Sequence, residues 1–279
     1  LLVLFLAGIV CRPTPASAHH EAIFGPQSSL VLSADKFVSV QIFSRELGAS
    51  DAKTTETTTV ASAGVPVSRT RPLTFTVAMP YSWISQAGYA SRSGAEDIVL
   101  GLRYRHDVKS LQERWGREGN FVMGVGAFEL NNGTIDHGAW KGPLDGMGAI
   151  LGSLERGKWS AIGYSVMRLN AQDDEGNKDG NSLFFGGGLA YTPNEDFQSG
   201  RLISYQAGWS YEHYARDEVR GERDVNTGGD EILIHPTFVY APRHDLLLFG
   251  MVSVPAWRNF RDPTAQDRFR FGTGLVYKW

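Results

Sequence analysis

The 279-residue chain has no run of about 18 or more apolar residues, which excludes an ordinary membrane-spanning helix. Cysteine is nearly absent: the one copy, Cys11, cannot form a disulfide within the chain. The net charge is only −3 and no basic run is present to track phosphates, so nucleic acid is set aside as a partner. Past residue 30 there is almost no helical periodicity, and no phosphate-binding loop occurs, so no cofactor is implied. What is plentiful is glycine, with 32 residues against a usual share of about 7%, together with 11% aromatics. Both suit closely packed strands with aromatic ends.

The N-terminus, LLVLFLAGIVCRPTPASA, opens on an apolar block the length of a signal-peptide core and closes on the small-x-small sequence Ala16-Ser17-Ala18. Pro13 and Pro15 would break a buried helix here, so residues 1–18 are expected to be a partial signal peptide that is removed on export. Removal takes Cys11 with it and leaves a cysteine-free chain, suited to an oxidising periplasm. Residues 19–33 read as a periplasmic or plug segment with Phe24 as its anchor. His19, His20 and a new terminal amine would offer three nitrogens that suit copper or nickel, but two histidines on a loose terminus do not close a site, and no metal is assigned.

Residues 34–279 divide into twelve strand candidates: 34–46, 54–65, 72–82, 96–106, 119–130, 144–154, 158–168, 182–192, 201–214, 230–241, 244–255 and 267–279. Long polar links at 83–95, 131–143, 169–181, 215–229 and 256–266 alternate with mostly compact ones, as they do when every other turn faces the periplasm. The link 107–118 breaks that rule and is expected to form a short periplasmic helix. Within 173–180, DDEGNKDG spaces oxygens like a calcium loop, but Lys178 stands where glycine is required and Phe184 where the closing glutamate belongs. A solvated loop is the expectation.

Period-two faces are clean in four strands. On the last, Phe269, Phe271, Leu275, Tyr277 and Trp279 share a face, opposed by Arg268, Arg270, two glycines, Val276 and Lys278. Leu100, Leu102 and Tyr104 oppose Gly101, Arg103 and Arg105; Tyr205, Trp209 and Tyr211 oppose Gln206, Ser210 and Glu212; Phe75, Met79 and Tyr81 oppose Thr74, Thr76 and Ala78. Strands 119–130 and 244–255 are ambiguous. A lipid-facing cation at the bilayer midplane costs roughly 2–4 kcal/mol, so the faces bearing arginine are expected inside a closed transmembrane barrel. Strand-end aromatics fall into two belts, with Tyr81, Trp83, Trp209, Tyr211, Tyr214 and Trp257 at the outer ends and Tyr104, Phe121, Trp159, Tyr191, Tyr240, Tyr277 and Trp279 at the periplasmic ends.

A final strand that ends on an aromatic residue, with another two positions earlier, resembles the C-terminal signal of bacterial outer-membrane proteins, which implies the barrel assembly machinery as a partner. The stretches AEDIVLGLRYRH and LTFTVAMPY resemble motifs of the outer-membrane transporter family named after phenol meta-pathway degradation. Asp97, Leu100, Gly101, Tyr104 and Arg105 match one motif, and Pro80 with Tyr81 the other; Glu96 stands where that family often has glycine. The resemblance implies an all-β outer-membrane barrel with a transport role and carries no substrate with it.

The expectation is therefore a twelve-stranded antiparallel barrel in the bacterial outer membrane, surrounded by lipid, passing a small polar or aromatic solute. Its lumen-lining candidates are Arg103, Arg105, Glu212, Glu231, His235, Arg268 and Arg270. They serve equally well as an internal salt-bridge network that fills the barrel. A structural or adhesive barrel is the alternative, and a barrel hydrolase a further one. No H-x-S supports the latter, and His235-Pro236-Thr237 is the nearest approach, so no catalytic residue is named.

Overall fold

The computed structural model describes residues 36–47, 53–68, 72–86, 88, 90–110, 120–130, 132–134, 144–196, 201–261 and 267–279. The signal segment, His19, His20, Phe24 and most of the link 107–118 lie outside them. Fifteen strands form: β1 (Phe37–Leu47), β2 (Thr54–Pro66), β3 (Leu73–Gln86), β4 (Arg92–Ala95), β5 (Val99–Asp107), β6 (Phe121–Leu130), β7 (Leu144–Arg156), β8 (Trp159–Leu169), β9 (Ser182–Asp196), β10 (Arg201–Tyr214), β11 (Glu218–Val219), β12 (Glu222–Arg223), β13 (Gly229–Arg243), β14 (Leu246–Phe260) and β15 (Asp267–Lys278).

Twelve of these make one closed antiparallel ring. Neighbours pair in chain order, and the last strand returns to the first, from Phe37↔Lys278 to Leu47↔Asp267. Closure matters because an open edge would leave a row of backbone donors and acceptors unpaired. The three remaining strands are short. β4 pairs with the far end of β3, and β11 with β12 forms a hairpin in the loop between β10 and β13.

Each of the twelve expected segments is a strand, and the differences lie at their ends. β3, β9 and β14 run on to Gln86, Asp196 and Phe260, past the expected ends at 82, 192 and 255. Pairing carries β3 and β14 upward as a rim, with Thr54↔Gln86 and Gly229↔Phe260 still in register, while β9 extends the other way, toward its short turn, where Arg201 pairs with Asp196. β14 passes Pro255, which has no N–H to donate, by a bulge: Leu233 pairs with Pro255 and Ile232 with Trp257, so Ala256 is skipped.

The alternation of faces holds around the ring. On β5, Arg103 and Arg105 are buried inside while Leu102 and Tyr104 are exposed; on β10, Ser210 and Glu212 are inside and Tyr205 and Trp209 outside. The outward surface carries Ile150, Leu189, Phe238 and Val254 as well as paired aromatics, with Tyr81 against Trp83 and Trp159 against Tyr191. Two expected belt residues turn inward instead. Phe121 is buried, and Tyr214 is half-buried among interior groups.

The interior is not uniformly polar. Phe37, Leu202, Val239, Leu247, Phe249 and Val276 form an apolar cluster at the short-turn end; Phe121, Met123, Val125, Leu151 and Ile162 form another on β6 to β8. This is why β6 and β14 read ambiguously, since both of their faces are apolar. Interior rings lie flat on glycines of the neighbouring strand: a Cβ on Gly64 would stand 2.1 Å from Phe37, and one on Gly274 2.6 Å from Phe249. We expect Gly274→Val to displace Phe249 and lower stability by about 1–3 kcal/mol. Gly126→Val, where a Cβ meets nothing within 4 Å, should leave it nearly unchanged. Denaturant unfolding followed by heat-modifiable gel migration measures both.

Candidate functional site

An assembly of buried charge sits inside the barrel, toward the long-loop end. Register places Glu212 of β10 directly opposite Glu231 of β13, and two carboxylates so placed repel one another. Arg270 of β15 resolves the conflict by reaching past β14. Its Nη1 and Nη2 donate to the two oxygens of Glu212, each at 2.8 Å, and Nη2 also donates to Glu231 at 2.5 Å. All three side chains are almost wholly buried. A bidentate guanidinium–carboxylate pair of this kind is both strong and fixed in geometry.

Hydroxyls and one imidazole complete the network. Tyr214 donates to Glu212 Oε2 at 2.7 Å, and Ser210 donates to Glu212 Oε1 at 3.3 Å. His235 is fully buried between two serines, with Nε2 at 2.8 Å from Ser210 Oγ and Nδ1 at 2.7 Å from Ser253 Oγ. Tyr164 of β8 also hydrogen-bonds Ser210. The His–Ser contact that the linear sequence lacks is thus made between neighbouring strands. It is not oriented as in a hydrolase, because Nδ1 faces a hydroxyl and not a carboxylate.

Four of the seven residues expected in the lumen, Glu212, Glu231, His235 and Arg270, therefore come together. Arg103 and Arg105 point inward as expected but occupy another level, toward the short turns. There Arg103 stacks 4.9 Å from the Phe37 ring centroid and Arg105 4.2 Å from that of Phe121, while Arg105 Nε bonds Asp107 at 2.8 Å. Arg268 lies at the long-loop rim, exposed, 3.4 Å from Glu46. Arg45, opposite Arg270 in register, is occupied by Glu56 at 2.7 Å.

Sequence reading missed a second ion cluster, on the far side of the ring. Arg168 of β8 pairs with Glu129 of β6 at 2.5 Å and with Asp145 of β7 at 3.7 Å. The acids of the family-like motif turn out to organise the rim. Asp97 Oδ1 accepts from the backbone N–H of Asn132 and Gly133, and Glu96 accepts from Ser82 and Thr58.

Above the strands, two loops fold onto each other. Asp173 Oδ1 accepts from the backbone N–H of Asn177 and Glu175, which holds its carboxyl below the usual carboxylate range. The oxygens that resembled a calcium loop are in this respect spent on the loop's own backbone. Asn177 Oδ1 then accepts from Arg220 N, and Lys178 bridges to Glu218, joining the β8–β9 loop to the β11–β12 hairpin.

No protein-family model matches the chain, and no curated protein matches it. Among solved structures, an outer-membrane channel from Pseudomonas putida F1 superposes with a TM-score of 0.72 at 11% identity, over 92% of this chain and 100% of that one. The β domain of the Bordetella autotransporter BrkA reaches 0.57 at 9% identity, over 88% and 100%. The NanC porin reaches 0.50 at 10% identity, over 87% and 100%. These likenesses establish the architecture: a closed, twelve-stranded barrel of the outer-membrane type.

Proposed function

We propose that the protein is a bacterial outer-membrane channel for passive passage of a small polar or aromatic solute. The observation that carries this reading is the Arg270–Glu212–Glu231 cluster, held inside a barrel whose outward face is apolar. Removing three charges from water is expensive, and packed apolar side chains fill an interior as well, as they do in part of this barrel. Opposed charges on the lumen wall are the usual device for selecting what passes. A similar architecture in an outer-membrane channel and a porin supports the same reading.

In this reading the short turns face the periplasm and the long loops the exterior, lipid surrounds the belt, and the barrel assembly machinery takes the β15 strand as its signal. Export would remove residues 1–18. The motif resemblance around Asp97 and Pro80 supports kinship with the phenol meta-pathway transporter family in this reading, and carries no substrate with it.

Three outcomes test it. Ile150→Arg, at a residue 65% exposed on the outer face, should weaken folding into lipid vesicles by roughly 2–4 kcal/mol, measured by equilibrium urea titration. Refolded protein in a planar bilayer should conduct. Arg270→Gln should lower the anion-to-cation permeability ratio by leaving Glu212 and Glu231 without their counter-charge, and it should destabilise the barrel by about 3–5 kcal/mol. The double variant Arg270→Gln, Glu212→Gln should recover much of that stability. A barrel that never conducts, with or without residues 19–33, sinks the channel reading in favour of a structural or adhesive one. The Ser210–His235 contact favours a hydrolase only if ester hydrolysis is found and Ser210→Ala abolishes it.

A further inference from the structure

A cavity of about 530 Å³ lies at the long-loop rim, between the two interlocked loops and the ends of β10, β13 and β14. That volume is within the about 300–1,000 Å³ usual for small-molecule sites. Four cations line it, Lys178, Arg216, Arg223 and Arg261, against two carboxylates, Glu218 and Asp230. Asp230 is already engaged, accepting from Tyr211 OH at 2.5 Å and bonding His213 Nδ1 at 2.8 Å. Arg261 donates weakly to Val225 O at 3.4 Å. Among the described residues, the side chains of Lys178, Arg216 and Arg223 make no hydrogen bond or ion pair. Lys178 and Arg216 are nonetheless half-buried, and four cations against two carboxylates, one of them already engaged, leave a net attraction for an anion there.

The walls are built rather than loose. Gly180 N donates to Asp217 Oδ1 at 2.7 Å, and Asp217 N donates to Thr227 Oγ1 at 2.8 Å. A Cβ on Gly180 would stand 2.0 Å from Ala215 O, so only glycine lets the loops close this far. Lys178 and Glu218 exchange two backbone hydrogen bonds, of 2.9 and 2.8 Å. The cations are therefore displayed on a pre-set frame, which lowers the ordering cost of binding. Tyr214 lines the cavity floor while its hydroxyl reaches Glu212, so the cavity adjoins the lumen network.

We propose that this rim cavity binds a small oxyanion, a carboxylate or phosphate group, through Lys178, Arg216 and Arg223. The chemistry is shared by a free anionic solute and by a lipid phosphate in the outer leaflet. It does not require the barrel to conduct, so binding and conductance stand or fall separately.

The full chain, purified in detergent, is titrated calorimetrically with inorganic phosphate and with succinate. In parallel it is reconstituted into phosphatidylcholine vesicles with and without lipopolysaccharide, and its association with the latter is measured. Saturable binding of phosphate or succinate assigns the site to a solute; association with lipopolysaccharide alone assigns it to a lipid phosphate. In either case Arg216→Gln should weaken binding about tenfold, the effect of losing one charge-assisted hydrogen bond. Lys178→Arg, which keeps the charge, should retain it. Heat-modifiable migration confirms that each variant is folded. Absence of saturable binding in both arms overturns the proposal, as does binding unchanged in a folded Lys178→Gln, Arg216→Gln, Arg223→Gln variant.

Discussion

The pairing of β15 with β1 is the constraint on which the rest depends. Twelve strands without it would be a curved sheet with two edges, each a row of unpaired amides and carbonyls, tolerable in water and prohibitive in hydrocarbon. Once the ring is closed, every strand has the same two environments, and parity alone decides which side chain meets which. A slip of one residue at the seam would bring Arg270 outside and Phe271 inside, and would separate Arg270 from both of its carboxylates. Seam and charge cluster thus enforce the same register.

That dependence explains what the sequence discloses and what it withholds. Strand number and face assignment were legible because lipid-like surroundings demand apolar residues on one parity, and β3, β5, β10 and β15 oppose them with polar or small ones. β6 and β14 were not, because Phe121, Met123 and Val125, like Leu247, Phe249 and Met251, fill the interior with the same residue types that cover the outside. Tyr214 is an instructive error. Its parity with Ser210 and Glu212 points inward, although a strand-end tyrosine also fits an aromatic belt. Parity is the stronger rule, since it is fixed by backbone geometry and belts are a preference.

The site was legible in membership and hidden in assembly. Glu212, Glu231, His235 and Arg270 each show inward parity in the sequence, yet nothing in their spacing says that Arg270 reaches past β14 and β13 to β10. Height along a barrel depends on the stagger between successive strands, which accumulates around the ring and leaves no local mark. The same stagger carries Arg103 and Arg105 down to the Phe37 and Phe121 rings and lifts Arg268 to the rim beside Glu46. Partners on strands that are not adjacent, such as Arg168 of β8 with Glu129 of β6, leave no local signal for this reason.

Buried charge occurs at both levels of the interior, with Arg103 and Arg105 against rings toward the short turns and the Arg270 triad toward the long loops, but of these two sets the triad alone holds a pair of carboxylates face to face. Glu212 and Glu231 stand opposite each other, an arrangement that packing does not require and that is tolerable only with Arg270 between them. Replacing such a triad by apolar residues is often neutral or stabilising, so stability alone does not account for it. The apolar clusters in the same barrel show that parts of this interior accept the cheaper solution. The triad lies toward the end where the loops open, and there Tyr214 joins it to the cation-lined cavity. That placement is the one expected if the triad handles something arriving from outside.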